Sequence, residues 1–350
     1  MRNCSYHRTC LLASILAAPA MSAVGADADA LVSTNKNRLS LNTRIGFNID
    51  ARFSGIGTYR PARSPGGTGS ALEHFYEDGY VRVDSSGNMG SETWFWGYDN
   101  ASQVSGNNIL FHSTLSRAEG PGRDVSDDPQ LGLELVYNRE FGTFGKRNQH
   151  HWGLEASLGW TSVGIEDSGA TRATVSRIID AFGYRPGTTP PPAPFRGTFT
   201  GPNFTLFDSP LRTVQTTSGV EVRGSREFTG DLFVGHLGPY AEFELTEKLQ
   251  LTISGGLALG GMSSQFSWNE TVSVPGATPI RRHASGNDGD VLVGGFIGAS
   301  LGYQFNPRWS AHVGLQFESL GNYSQSVAGH KATIDLGQSV HVTVGVGYSF

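Results

Sequence analysis

The sequence predicts an all-β chain, a transmembrane antiparallel meander β-barrel of eight strands with long extracellular loops. Three observations lead there. At the end of the chain Val340, Val342, Val344, Val346, Tyr348 and Phe350 fall on one face, and His341, Thr343, Gly345, Gly347 and Ser349 on the other, the alternation of a strand with an apolar side. The same period of two recurs along a chain that is only 38% hydrophobic. No apolar run beyond the first 26 residues approaches the roughly 20 residues of a spanning helix, and a closed barrel is the other structure that satisfies every backbone hydrogen bond in lipid. Connections between the alternating segments are short and long by turns, as a barrel with short inner turns and long outer loops requires.

The amino terminus reads as an export signal. Arg2 and Arg8 form a basic start, Leu11 to Ala18 an apolar stretch, and Val24-Gly25-Ala26 a small-residue cleavage site, so residues 1–26 are expected to be a leader. Residues 27–38 then form a periplasmic segment and 39–350 the barrel. Both cysteines, Cys4 and Cys10, lie in the leader, which leaves no disulfide, thiol nucleophile or cysteine metal site beyond it. Removing Arg2 and Arg8 leaves 24 basic against 31 acidic residues, a net charge of −7, which gives no support to nucleic-acid binding.

The first spanning strand is expected from Leu39 to Ser54, with Leu39, Leu41, Ile45, Phe47, Ile49, Ala51 and Phe53 outward and Arg44, Asn48, Asp50 and Arg52 inward. The second runs from Leu131 to Gly142 and the third from Trp152 to Ile165. The fourth, Asp231 to Leu245, and fifth, Leu249 to Leu259, flank Thr246-Glu247-Lys248. The sixth, Val291 to Phe305, and seventh, Trp309 to Ser319, flank Asn306-Pro307-Arg308, and the terminal strand is the eighth. Long loops at 55–130, 166–230, 260–290 and 320–338 then share the outer side. Extended character at Asn108 to Leu115, Thr171 to Ile179 and Leu211 to Phe228 suggests hairpins projecting above the membrane, or ten to twelve spanning strands. Aromatics collect at the inner interface, among them Phe141, Trp152, Tyr303, Trp309, Tyr348 and Phe350, with Phe53, Trp160, Phe233 and Phe317 as a sparser outer girdle.

On this pattern, and on the terminal Val346, Tyr348 and Phe350, the chain resembles small bacterial outer-membrane barrels of the OmpA, OmpX and OmpW type. The resemblance covers residues 39–350 as architecture. It implies an outer-membrane location, contact with lipid and lipopolysaccharide, a monomer, and a final strand read by the barrel assembly machinery. The chain departs from the type in its first two loops, which are much longer, and anchoring to the wall through a carboxy-terminal peptidoglycan-binding domain like that of OmpA is not expected.

Inward positions gather Arg44, Asp50, Arg52, Glu134, Glu140, Glu155, Glu242, Glu244 and Glu318 with His236, His312 and His341. An eight-stranded barrel is just wide enough for side chains to fill it, so the expectation is a structural network in which arginines bridge the acids, with a gated cation path as the alternative. Candidate catalytic fragments are His112-Ser113, Asp127-Asp128, Asp208-Ser209, His330 and His150-His151, none in a nucleophile, base and orienter spacing. The expected reading is therefore not an enzyme, and a lipid-A-modifying or proteolytic barrel is the third class. Asp84, Ser86 and Asn88 alternate as calcium ligands do, but Met89 stands where the loop needs glycine and Phe95 where it needs a bidentate acid. No cofactor or metal is expected. Loop one carries Trp94, Phe95, Trp96 and Tyr98, and between residues 55 and 128 ten acids oppose five arginines. A loop this aromatic is expected to fold, with those four residues either packed on the rim or exposed to an extracellular ligand.

Overall fold

The computed structural model describes residues 36–61, 63–146, 149–273 and 279–350; the leader and most of the 27–38 segment lie outside them. Eight strands form a ring: β1 Asn37–Phe47, β2 Gln130–Phe144, β3 His150–Gly183, β4 Leu211–Glu244, β5 Leu249–Ser273, β6 Ile280–Gln304, β7 Trp309–Ser319 and β8 Ser339–Ser349. All neighbours are antiparallel, and β1 closes the ring by pairing Leu41 with Leu135 of β2 and with Val346 of β8. Closure leaves no unpaired edge inside the lipid. The eight strands expected from the sequence are the eight observed.

An apolar belt surrounds the ring. Leu133 (50%), Leu158 (61%), Leu257 (71%), Val293 (73%), Leu315 (60%) and Val344 (54%) all present their side chains outward, far more contiguous apolar surface than a water-soluble face tolerates. At the lower rim Phe141 meets Trp152 edge-on at 5.8 Å, and Trp309 meets Tyr348 at 5.0 Å. At the upper rim Trp160 pairs with Phe233, and its indole Nε1 donates to Asp231 at 2.9 Å.

Above that rim the ring changes character. β3 and β4 run for 34 residues each and β5 and β6 for 25, where about 10 residues cross the bilayer. The four remaining strands stop at the rim and continue as a separate sheet of Asn322–Val327, His330–Asp335, Asp50–Ser54 and Arg123–Ser126, in the same side-by-side order as their parents β7, β8, β1 and β2. This sheet leans against the tall wall of β3 to β6. Phe53 stacks on Phe266 at 5.8 Å and Phe228 meets Tyr323 at 6.0 Å.

The first expected strand is corrected here. Asn48, with φ 60°, breaks it into β1 and Asp50–Ser54. One residue off the ladder inverts every later side chain. Ile49, Ala51 and Phe53, expected to face lipid, are 0 to 1% exposed in the core between the two sheets, so Phe53 does not belong to the outer girdle.

Loops one and two fold together as a crown. Strands His74–Tyr76, Gly79–Val81, Trp96–Tyr98 and Phe195–Arg196 make a small sheet. Its inner face packs through Val81, Trp96 and Tyr98 on Ile109, Phe111 and Phe182. Asn108–Ala118, extended as its sequence suggests, pairs alongside the upper part of β3.

Candidate functional site

The lumen is built in layers. Midway along it Arg44 Nη2 donates to Glu318 Oε2 at 2.7 Å, both side chains 0% exposed. His236 Nε2 lies 2.6 Å from the same oxygen, and its Nδ1 lies 2.8 Å from Ser157 Oγ, which donates to Glu134 at 3.1 Å. Asn42 also donates to Glu134, at 3.2 Å, and receives His312 Nε2 at 2.6 Å. The network thus joins β1, β2, β3, β4 and β7. Gly159 makes room for it: a Cβ there would come within 2.6 Å of Arg44 Nη1.

Below this layer the acids separate. Glu242 is held by Arg38 at 2.6 Å and by Thr252 at 3.2 Å. Glu155 receives Asn138 at 2.8 Å, and Glu140 and Glu244 each lie 3.3 Å from His151 at the lower rim. A polar cavity of about 80 Å³ lies among them, lined in part by Arg38, Asn42, Glu155 and His312. Arg38 was missed because the strand begins at Asn37, two residues before the apolar alternation becomes visible. Asp50 and Arg52 are not in the lumen at all. The inversion at Asn48 turns them outward, and Arg52 is exposed on the outer side of the short sheet, 3.7 Å from Asp124.

Above the charged layer the lumen ends. The core between the two upper sheets, from Val234 and Ala258 up to Phe266 and Trp268, fills it with apolar side chains. Over this stopper sits a second buried polar group. Arg226, 1% exposed, pairs with Glu270 at 2.8 Å and Asp167 at 3.2 Å. His330 stacks on Trp268 with ring centroids 3.7 Å apart and reaches Glu270 at 3.2 Å.

The remaining candidate fragments are placed as follows. His112 Nδ1 lies 2.6 Å from Asp78, and among the described residues its ring makes no other hydrogen bond; Ser113 Oγ is buried without a partner. Asp208 accepts from Ser70, Ala71 and Asn88, and Asp128 from the backbone of Asn48 at 2.7 Å. These carboxylates hold turns. Asp84 does the same, accepting from Ser86, Asn88 and the Trp94 backbone. Burial pushes its carboxyl up, but these hydrogen bonds outweigh burial and hold it below the usual carboxylate range. Among the described residues no cluster of three or more His, Cys, Asp or Glu groups could hold a metal.

The four aromatics of loop one divide. Trp96 and Tyr98 are 0% and 2% exposed. Trp96 stacks on Tyr98 at 5.6 Å and donates its Nε1 to Phe204 O at 2.7 Å, so both belong to the crown core and not to a surface. Phe95 is half-buried on the opposite, outer face of the sheet. There Arg82 covers Phe95 at 4.6 Å and Phe75 at 5.5 Å, Arg63 covers Phe75 at 4.6 Å, and Arg196 lies over Tyr80 at 6.0 Å. Trp94 is also half-buried and donates to Phe199 O at 3.2 Å. Sequence alternation alone separates 95 from 96; what it does not tell is which of the two faces meets the core.

A closed ring with an apolar belt between aromatic rims, polar inside and carrying tall strands on one side, decides the class. The chain is a β-barrel of the outer-membrane type. No protein-family model matches it, and no curated protein matches it. Solved barrels are similar to it. Ail, the attachment invasion locus protein of Yersinia pestis, is 10% identical over 90% of this chain and 99% of its own, with a TM-score of 0.28. The outer membrane protease OmpT of Escherichia coli is 13% identical over 91% and 98%, with a TM-score of 0.28. A Pseudomonas aeruginosa FadL homologue is 10% identical over 90% of each chain, with a TM-score of 0.19. Likenesses this distant carry no argument about activity.

Proposed function

We propose that this chain is a non-conducting, non-enzymatic outer-membrane barrel whose folded extracellular crown is a surface-recognition platform. The observation that carries the reading is the stopper: an apolar core, not a constriction lined by polar groups, lies across the lumen directly above the Arg44 and Glu318 layer. Ions crossing it would have to shed their water among packed side chains whose few polar atoms, those of Ser264, Tyr323 and Gln325, are already hydrogen-bonded to one another. The polar cavity below is then a hydrated vestibule, and the pore reading loses its path.

The crown supplies the positive half of the argument. Its outer sheet face presents Phe75, Tyr80, Phe95 and Phe199 with Arg63, Arg82 and Arg196 laid over the rings. Rigid aromatic groups with a polar edge suit a recognition surface because little side-chain entropy is lost on contact. The ring closes within one chain, which supports a monomer in the bilayer. The belt would contact lipid and lipopolysaccharide, and the final strand would engage the barrel assembly machinery. The test is a whole-cell binding screen against glycans, matrix and serum proteins, comparing the wild type with a Phe75→Ala, Phe95→Ala variant. Binding lost in the variant with an intact crown supports recognition on this face. Equal binding by both would contradict it.

A further inference from the structure

Among the described residues the upper part of β4 has an open sheet edge. β4 stays paired with β3 up to Leu211 opposite Ala181, whereas β5 joins it only from Glu221 opposite Ser273. Along Leu211–Val220, β4 therefore has a neighbour on one side alone among the described residues. Burial agrees: Leu211 and every residue from Thr213 to Gly219 are exposed, without the alternation of a covered strand. Every second residue of such an edge aims its backbone N–H and C=O at solvent. The Gly219 N–H donates to Glu119, which stands beside Arg172 and Thr174 of β3, at 2.8 Å.

The usual protections are missing here. From Thr213 to Ser218 the sequence is Thr-Val-Gln-Thr-Thr-Ser, with no lysine, acid or proline and four β-branched residues. At its upper end Arg212 is neutralised by Asp180 through contacts of 2.8 and 2.6 Å. The upper edge of β6 is guarded by contrast: it carries Arg281, Arg282, Asp288 and Asp290, and Gln325 of the facing sheet donates to its Gly286 O at 2.7 Å.

We propose that the Leu211–Ser218 edge of β4 pairs antiparallel with the same edge of a second copy standing on an opposing membrane, which makes the barrel a homophilic contact between cells. The inference rests on the outward orientation of the crown. Symmetry selects this partner. A copy in the same membrane presents the edge running the same way, which permits only parallel pairing, whereas a copy in a facing membrane runs the opposite way and pairs about a two-fold axis. Centred on Thr216 opposite its own copy, the pairing sets Gln215 opposite Thr217 and Val214 opposite Ser218, so no like charges meet. The edge begins about 40 Å along the strand from the upper girdle at Phe233, at roughly 3.3 Å per residue, which gives it the reach such a contact needs. One short ladder is weak, and many copies on two surfaces add by avidity.

The test uses cells expressing the full chain. Wild-type cells should settle from suspension about tenfold faster than cells without the protein, and a Val214→Lys, Thr216→Lys variant should lose that gain. Insertion of the variant is checked by heat-modifiable mobility. Apart from Cys4 and Cys10 the chain has no cysteine, so Thr216→Cys reports the geometry directly. Two populations carrying different tags, mixed and oxidised, should yield a disulfide-linked species bearing both tags. No settling by the wild type, equal settling by the inserted lysine variant, or disulfides confined to one population would overturn the proposal. A membrane-impermeant thiol reagent separates this failure from failure of the orientation: a Thr216→Cys variant labelled on whole cells that nevertheless does not pair refutes the edge contact alone, and one labelled only after the cells are broken refutes the orientation.

Discussion

Arg44 and Glu318, 274 positions apart in the chain, meet at 2.7 Å in the middle of the lumen with no exposed side-chain surface on either. Their pairing ties β1 to β7 over the intervening β8. Arg44→Ala would leave Glu318 with His236 and a more distant His341 at 3.8 Å. Because one charge of a buried pair is stranded, the expected loss is about 3 kcal/mol, read as a lower midpoint in denaturant for the heat-modifiable form. The double change Arg44→Met, Glu318→Leu should recover most of it. A single variant as stable as the wild type would show that the pair does not brace the barrel.

The crown should loosen in acid. Asp84 has its carboxyl held below the usual range by hydrogen bonds from Ser86, Trp94 and Asn88. Its contribution is therefore complete above the unfolded carboxylate pKa near 4 and is lost as pH falls through the lower folded value. Tryptophan fluorescence and external protease sensitivity should change together below about pH 4, and Asp84→Asn should remove that step. A crown equally protected at acid and neutral pH would contradict this role.

Trp96 and Phe95 should behave as opposites although they are neighbours. Trp96→Ala removes a fully buried ring from the crown core, at a cost of about 3 to 5 kcal/mol to that unit, and should expose loop one to protease. Phe95→Ala removes a half-buried ring that lies under Arg82 on the outer face, and should leave protease resistance nearly unchanged. Limited proteolysis of whole cells compares them, and equal sensitivity would misplace the core.

How much of this was legible depends on where lipid lies. From Val340 to Phe350, and at Leu131 to Tyr137, one face meets hydrocarbon and the other a polar lumen, so the sequence alternates and the strand can be read from it. Above the rim both sheet faces can meet protein or water, and the pattern fades. The 34-residue lengths of β3 and β4 were visible only as isolated extended stretches. Asn48 hides the inversion. A left-handed residue leaves alternation on either side intact and inverts its meaning, so Asp50 and Arg52 read as lumen residues while Phe53 read as lipid-facing. Among the lumen groups, alternation names Arg44, Glu134 and Glu318, but their mutual contact depends on β1, β2 and β7 converging, which is long-range information.

The carboxy terminus should govern assembly. Phe350 exchanges backbone hydrogen bonds with Asn37 at 2.9 and 3.3 Å and stacks on Tyr348 at the lower rim. Phe350→Ser should leave export intact and reduce insertion, with the chain collecting in the periplasm or being degraded. Fractionation with heat-modifiable mobility checks this, and normal insertion would count against the terminal strand as the assembly element.

The central claim, a barrel sealed by the apolar core around Phe53, Phe228 and Phe266 beneath a folded crown, meets its most direct test in planar bilayers. Purified wild-type protein, shown to be inserted, should give no resolved single-channel current in salt at either polarity. Steady, reproducible unitary currents from the unmutated chain would contradict the stopper and restore the lumen as a path.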